Sequence, residues 1–325
     1  MKAFFHRLAA AYGSAIILMF FSEYFFVNEQ PVAQLLVTLK TSPLLAIPAL
    51  VSFAGFYTFF TYPMLMALSH FNVRTLSGLL LAGALFGWAT EGLTIPVVYQ
   101  DMPVSFVFPS IGWHALIDVL IGWYLVRLGM RGFGPFGNGV MFVALGVAWG
   151  VWATWYWGAE EGVAPLLPDE FVLLVLASAG FWILGMMLAD RFAAMAFRAS
   201  RWEVAFIIIL ALGLVGVMAY PYLPVSIAIV PLVGASVLAM WWGKNLGEGQ
   251  TVLQRLSSET VPKWTYVLAF LTPVSAISTY WVVFETKVQV PTQTIVLTLL
   301  SIGVVWFAIA LVLPLFGRLK NNRSA

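Results

Sequence analysis

Cysteine is absent from this 325-residue chain, which excludes a disulfide framework, a thiolate nucleophile and any metal site built on sulfur. Charge is almost as scarce. Asp, Glu, Lys and Arg make up 9% of the residues against 62% hydrophobic, and the mean hydropathy is +0.94; so little polar surface cannot cover a soluble domain of this size. There are three histidines, His6, His70 and His114. No Walker phosphate loop, Asp-rich prenyl-diphosphate motif or zinc-protease His-Glu-x-x-His occurs. The net charge of +2 is small, and its basic residues are accounted for by topology, which leaves no case for a nucleic-acid partner.

What is present is apolar sequence in runs of membrane-spanning length. Such runs fall approximately at 8–27, 44–69, 76–99, 105–127, 137–158, 170–190, 203–220, 224–243, 264–284 and 293–316, each near the ~20 residues that a helix needs to cross a bilayer. The expected fold is an all-α polytopic membrane bundle of about ten transmembrane helices in a single membrane domain, residues 1–325. Leu8 to Phe21 has the look of a signal peptide, but no small-x-small cleavage site follows, so it is read as a retained first helix.

Lys and Arg accumulate on the cytoplasmic side of membrane proteins. With the N-terminus inside, ten spans put Arg74, Arg127, Arg131, Arg191, Arg198, Arg201, Lys244, Arg255, Lys263 and both termini on the inner side, and only Lys40 and Lys287 on the outer side. This predicts both ends cytoplasmic in a plasma or inner membrane, with 244–263 as a cytoplasmic loop. Glu23, Glu29, Glu91, Asp101, Glu160, Glu161, Asp169, Glu170 and Glu285 instead fall at or near outer helix ends. Acids contribute little to topology, so this clustering points either to solvated outer loops or to a site that opens outward.

Helix rise separates these acids by depth. Glu23 and Glu91 each lie ~22 Å above the inner end of their helix, and His114 ~20 Å above Arg127. Asp118 is four residues from His114 and on the same face, ~6 Å deeper. Ionisable groups within spans are costly and default to functional candidates. Glu91 suits a general acid with Glu160 or Glu161 as the second carboxylate, His114 a base oriented by Asp118, and Glu23 a further contributor from the first span. The competing readings are an interfacial Glu facing water and a buried polar pair that fixes one helix. A divalent metal at Glu91, His114 and Asp118 is the lesser alternative to a site without cofactor. Trp113, Tyr99, Trp152, Trp155 and Tyr156 are the expected aromatic walls, with an interfacial belt as the plainer reading. Gly78, Ala82, Gly83 and Gly87, with Gly146 and Gly150, signal close helix contacts, and suggest that the third to fifth spans pack as a unit.

Glu160-Glu161 resembles the opening of the Glu-Glu-x-x-x-Arg motif of the intramembrane prenyl-protein proteases. Pro165 stands at the arginine position and no histidine follows His114, so that chemistry is not carried over. Residues 8–158 are expected to hold the site and 170–316 to act mainly as scaffold. The expected function is carboxylate-based, glycosidase-like hydrolysis of a lipid-linked or glycolipid substrate, with membrane lipids as surroundings. The alternative is a proton- or cation-coupled secondary transporter of a small molecule, with Asp118 carrying the coupling ion.

Overall fold

The computed structural model describes residues 2–158, 164–193, 197–244, 246–288 and 290–323, with side chains up to Pro314. Among these residues there are helices and turns and no strand, as expected where lipid offers backbone groups no hydrogen bonds. The elements are α1 (Lys2–Phe25), α2 (Glu29–Thr41), α3 (Pro43–His70), α4 (Leu76–Gly92), α5 (Val104–Gly132), α6 (Pro135–Gly158), α7 (Pro168–Phe192), α8 (Arg201–Tyr222), α9 (Val225–Trp242), α10 (Lys263–Thr286) and α11 (Thr292–Arg323).

Nine of these described helices are long and apolar enough to cross a membrane, and the chain is an all-α polytopic membrane bundle. The run at 76–99 is the exception. Its helix, α4, stops at Gly92 after 17 residues, ~26 Å of rise against ~30 Å of hydrocarbon, and the remainder forms a separate helical turn, Val97–Gln100. Sequence reading also passed over α2. Its Val32, Leu35 and Leu36 are buried while Val37 is exposed, an apolar stripe at helical spacing. Glu29 in the first turn and Lys40 in the last complement the helix dipole. At 13 residues it is too short to span, and it packs across α3, α7 and the end of α1.

α1 lies at the centre, against α3, α5 and α7. Small residues set two close approaches. A Cβ on Gly87 would sit 2.2 Å from the Ser110 carbonyl oxygen, and one on Gly83 would sit 2.9 Å from Ala115 Cα, so α4 and α5 touch backbone to backbone. Gly146 and Gly150 do the same for α6 and α10, where added Cβ atoms would meet the main chain of Thr272 and Ala276. The glycines of α6 therefore seat α10, not α4 and α5. The hydroxyls of α10 follow from this: Thr272 and Ser275 bond the Phe142 and Val143 carbonyls of α6 at 3.1 and 3.2 Å. α8 is peripheral, with Ala219 its one buried residue.

The bundle has two chemically distinct ends. Lys40 pairs with Glu170 at one. At the other, Arg127 and Arg131 converge on Asp190, and the Val252–Arg255 turn packs Val252 and Leu256 inward.

Candidate functional site

Two helices widen into π geometry where the polar residues of the membrane interior sit. α1 does so at Phe20–Phe25 and α5 at Ser110–Leu125. Five-residue backbone bonds mark both: Asn28 N–H to the Glu23 carbonyl at 2.8 Å, and His114 N–H to the Pro109 carbonyl at 3.0 Å. Such segments are rare and concentrate at functional sites. On α5, Pro109 has no N–H to continue a tighter ladder inward. At the end of α1, Val27 takes φ 62°, an uncommon conformation for a β-branched residue. The chain turns back there, so that Asn28 Nδ2 donates to Glu23 Oε2 at 2.8 Å.

The close α4–α5 contact brings Glu91, one turn beyond Gly87, onto His114. His114 Nε2 lies 2.8 Å from Glu91 Oε1 and Nδ1 lies 2.7 Å from Asp118 Oδ2. His114 and Asp118 are 3% and 0% exposed. Two nitrogen–oxygen contacts need two protons, and a neutral imidazole carries one. The trio therefore holds a second proton, on the ring or on a carboxyl. Asp118 Oδ1 is buried with no partner among the described residues.

From His114 a polar chain runs to the second carboxylate. Ser22 Oγ is 3.3 Å from His114 Nδ1 and 2.7 Å from the Tyr57 hydroxyl, and that hydroxyl donates to Glu23. Glu23 is 8% exposed. Four helices thus supply one connected set: Ser22 and Glu23 from α1, Tyr57 from α3, Glu91 from α4, His114 and Asp118 from α5.

The set opens on a cavity of about 630 Å³. Glu23, Glu91, His114, Ser22 and Tyr57 line it on the polar side, Phe26, Phe53, Phe56, Phe60 and Trp113 on the aromatic side, and Asn28, Gln30 and Gln34 towards α2. Its described lining contains no Lys or Arg. Phe56, on the aromatic wall, is 43% exposed.

Of the residues singled out in the sequence, Glu23, Glu91, His114 and Trp113 line this cavity, and Asp118 lies behind His114. Glu160 and Glu161 lie outside the described residues. Trp152, Trp155, Tyr156 and Tyr99 are not on the cavity wall. Trp152 and Trp149 instead donate to the Phe26 and Tyr24 carbonyls at 2.8 and 3.0 Å, and Trp113 to that of Phe21 at 3.1 Å. These indoles bond carbonyls at the altered end of α1, where that of Phe21 also accepts the Phe26 N–H at 3.2 Å. Trp155 stacks on Trp152. Tyr99 stacks on Tyr222, with its hydroxyl 3.3 Å from the Gly92 carbonyl. Ser22, Tyr57 and the Phe53–Phe56–Phe60 stripe escaped sequence reading. Their one signal is Tyr57 at helical spacing among phenylalanines, which ordinary packing also produces.

Among the described residues, no group of three or more His, Asp or Glu is arranged to hold a metal ion. Both ring nitrogens of His114 are already engaged by carboxylates. Comparison of the chain with known families, with curated proteins and with solved structures returns no match.

Proposed function

We propose that the cavity is the active site of a membrane-embedded hydrolase acting on a lipid-linked substrate with an uncharged, sugar-like headgroup. The observation that carries this reading is the pair of carboxylates, Glu91 and Glu23, lining one aromatic cavity and joined through His114, Ser22 and Tyr57. Glycoside hydrolysis needs two carboxyl groups in opposite protonation states. In the proposed step, Glu91 gives its proton to the glycosidic oxygen as the bond from that oxygen to the anomeric carbon breaks. Glu23 takes a proton from the attacking water, whose oxygen bonds that carbon. The proton then returns from Glu23 to Glu91 through Tyr57, Ser22 and His114, while Asp118 holds the imidazole in register.

Charge narrows the headgroup. Carboxylates without a lysine or arginine on the described lining would repel a phosphate and offer it no cationic donor. Aromatic faces suit the apolar face of a sugar and the first part of its lipid chain. With α4 as a short tenth crossing, the basic-residue distribution favours a cavity on the extracytoplasmic side of a plasma or inner membrane and cytoplasmic termini.

The test is headgroup release from neutral glycolipids by the purified protein in nanodiscs, with phosphate-linked glycolipids as comparison. Release from the neutral substrates, and a loss of about 10²- to 10⁴-fold in Glu91→Gln, is the expected result. Glu91→Gln as active as wild type would contradict the assignment. The shared proton of the His114 trio also favours a second reading, a proton-coupled transporter. Proton-driven uptake into proteoliposomes, lost in Asp118→Asn and without any headgroup release, would establish that reading instead.

A further inference from the structure

At the opposite end of the bundle the charge is reversed. Arg127 Nε and Nη2 both bond Asp190 Oδ1, at 3.0 and 2.7 Å, and Arg131 Nη2 bonds the same oxygen at 2.7 Å. The other carboxylate oxygen takes the Tyr266 hydroxyl at 2.9 Å. The guanidinium side chains are 2% and 4% exposed and share one carboxylate, so among the described residues one buried positive charge has no paired carboxylate of its own. Arg131 Nη1 bonds the Arg127 carbonyl at 2.7 Å, and its Nε is buried with no partner among the described residues. Arg255 approaches from the Val252–Arg255 turn, with the Tyr124 hydroxyl as its bonded partner at 3.2 Å.

Arg131 and Arg255 line a second cavity of about 570 Å³, together with Ser258 and, at its exposed rim, Glu259. The rest of the wall is apolar and runs along α5 through Leu125 to Ile121. Ile121, Leu125 and Phe133, all on this wall, are 37%, 39% and 53% exposed. From Arg131 to Ile121 is about 15 Å along the helix. The cavity therefore has a cationic end beside the arginine cluster and an apolar end continuous with the lipid-facing surface.

We infer that this cavity is a binding site for one anionic phospholipid, its phosphate held by Arg131 and Arg255 and an acyl chain laid along Leu125 and Ile121. A phosphate supplies the negative charge that Arg127, Arg131 and Asp190 leave unbalanced. A soluble anion would satisfy the charge and leave the apolar wall unused. Basic pockets between helices at the membrane surface recognise lipid headgroups on this principle. The site is independent of the carboxylate cavity and of the reaction proposed there.

The experiment is native mass spectrometry of the full-length protein released from phosphatidylcholine nanodiscs with and without phosphatidylglycerol. Retention of one phosphatidylglycerol, in preference to phosphatidylcholine and undiminished by millimolar inorganic phosphate, is expected. Arg255→Gln, outside the Asp190 cluster, should cut retention about fivefold, as for one lost cationic contact; Arg131→Gln should cut it further. Equal retention of the two lipids, displacement by inorganic phosphate, or full retention in a folded Arg255→Gln would each overturn the inference. Thermal unfolding of Arg131→Gln separates loss of the site from loss of the fold, and Arg255→Gln keeps the test decisive if Arg131→Gln does not fold.

Discussion

The carboxylate cavity and the arginine cluster solve the same problem, charge inside an apolar bundle, in opposite ways. Around His114, Glu91 and Asp118 share one imidazole; around Asp190, Arg127 and Arg131 share one carboxylate. Both trios carry an excess of one sign of charge. They differ in what surrounds them. The His114 trio is extended by Ser22, Tyr57 and Glu23 and faces a cavity, whereas Arg127 and Asp190 make several bonds to fixed partners. A proton can move through the first set because its links are hydroxyls, carboxyls and an imidazole. Guanidinium groups do not deprotonate in proteins, so the second set holds a fixed charge and a structural joint between α5 and α7.

This contrast can be broken experimentally, and the largest effect should come from the carboxylate cavity. His114→Ala removes the link between Glu91 and Glu23 and should lower headgroup release by about 10²- to 10⁴-fold; because it also leaves the buried Asp118 without its partner, activity is compared at matched folded fraction, and full activity of the folded variant would make His114 structural. Asp190→Ala should act on stability and leave the chemistry of the folded protein intact. It leaves two buried guanidiniums unpaired, a cost of about 3–5 kcal/mol that unfolding measurements in detergent would read. A smaller effect is expected from Gly87→Ala, whose new Cβ would strike the Ser110 carbonyl and cost about 1–3 kcal/mol by overpacking. It should also reduce turnover, because Glu91 rides on the same contact. Gly180→Ala, with nothing within 4 Å of its added Cβ, is the control, expected to be neutral or slightly stabilising. Smallest is Trp152→Phe, which keeps a ring but loses the bond to the Phe26 carbonyl, a change of about 1 kcal/mol in stability without loss of chemistry.

Much of this arrangement is legible in the sequence because two rules constrain it strongly. The length of an apolar run identifies nine of the ten expected spans, the run at 76–99 excepted, and helix rise orders residues by depth. Glu91 and His114, assigned to one level by rise alone, are in direct contact. What was not legible depended on departures from those rules. π geometry at Phe20–Phe25 and Ser110–Leu125 has no composition of its own, and nothing in Val27 announces a positive φ. Tyr57 entered the site through tertiary packing of α3 on α1, which a single sequence does not encode by spacing. Trp152, expected beside substrate, bonds the Phe26 carbonyl at the altered end of α1. A tryptophan stripe reads the same way in either role. The glycines of α6 signalled close contact correctly in kind, but their partner, α10, lies more than a hundred residues away.

The central claim is that Glu91 and Glu23 act as one pair through the chain that joins them. A double-mutant cycle on headgroup release tests it most directly, with Glu91→Gln, Glu23→Gln and the double variant compared at matched folded fraction. The account predicts that the double variant is no slower than the worse single variant, since groups acting as a unit are not additive. Losses that multiply would contradict it, and would make the two carboxylates independent contributors to the same cavity.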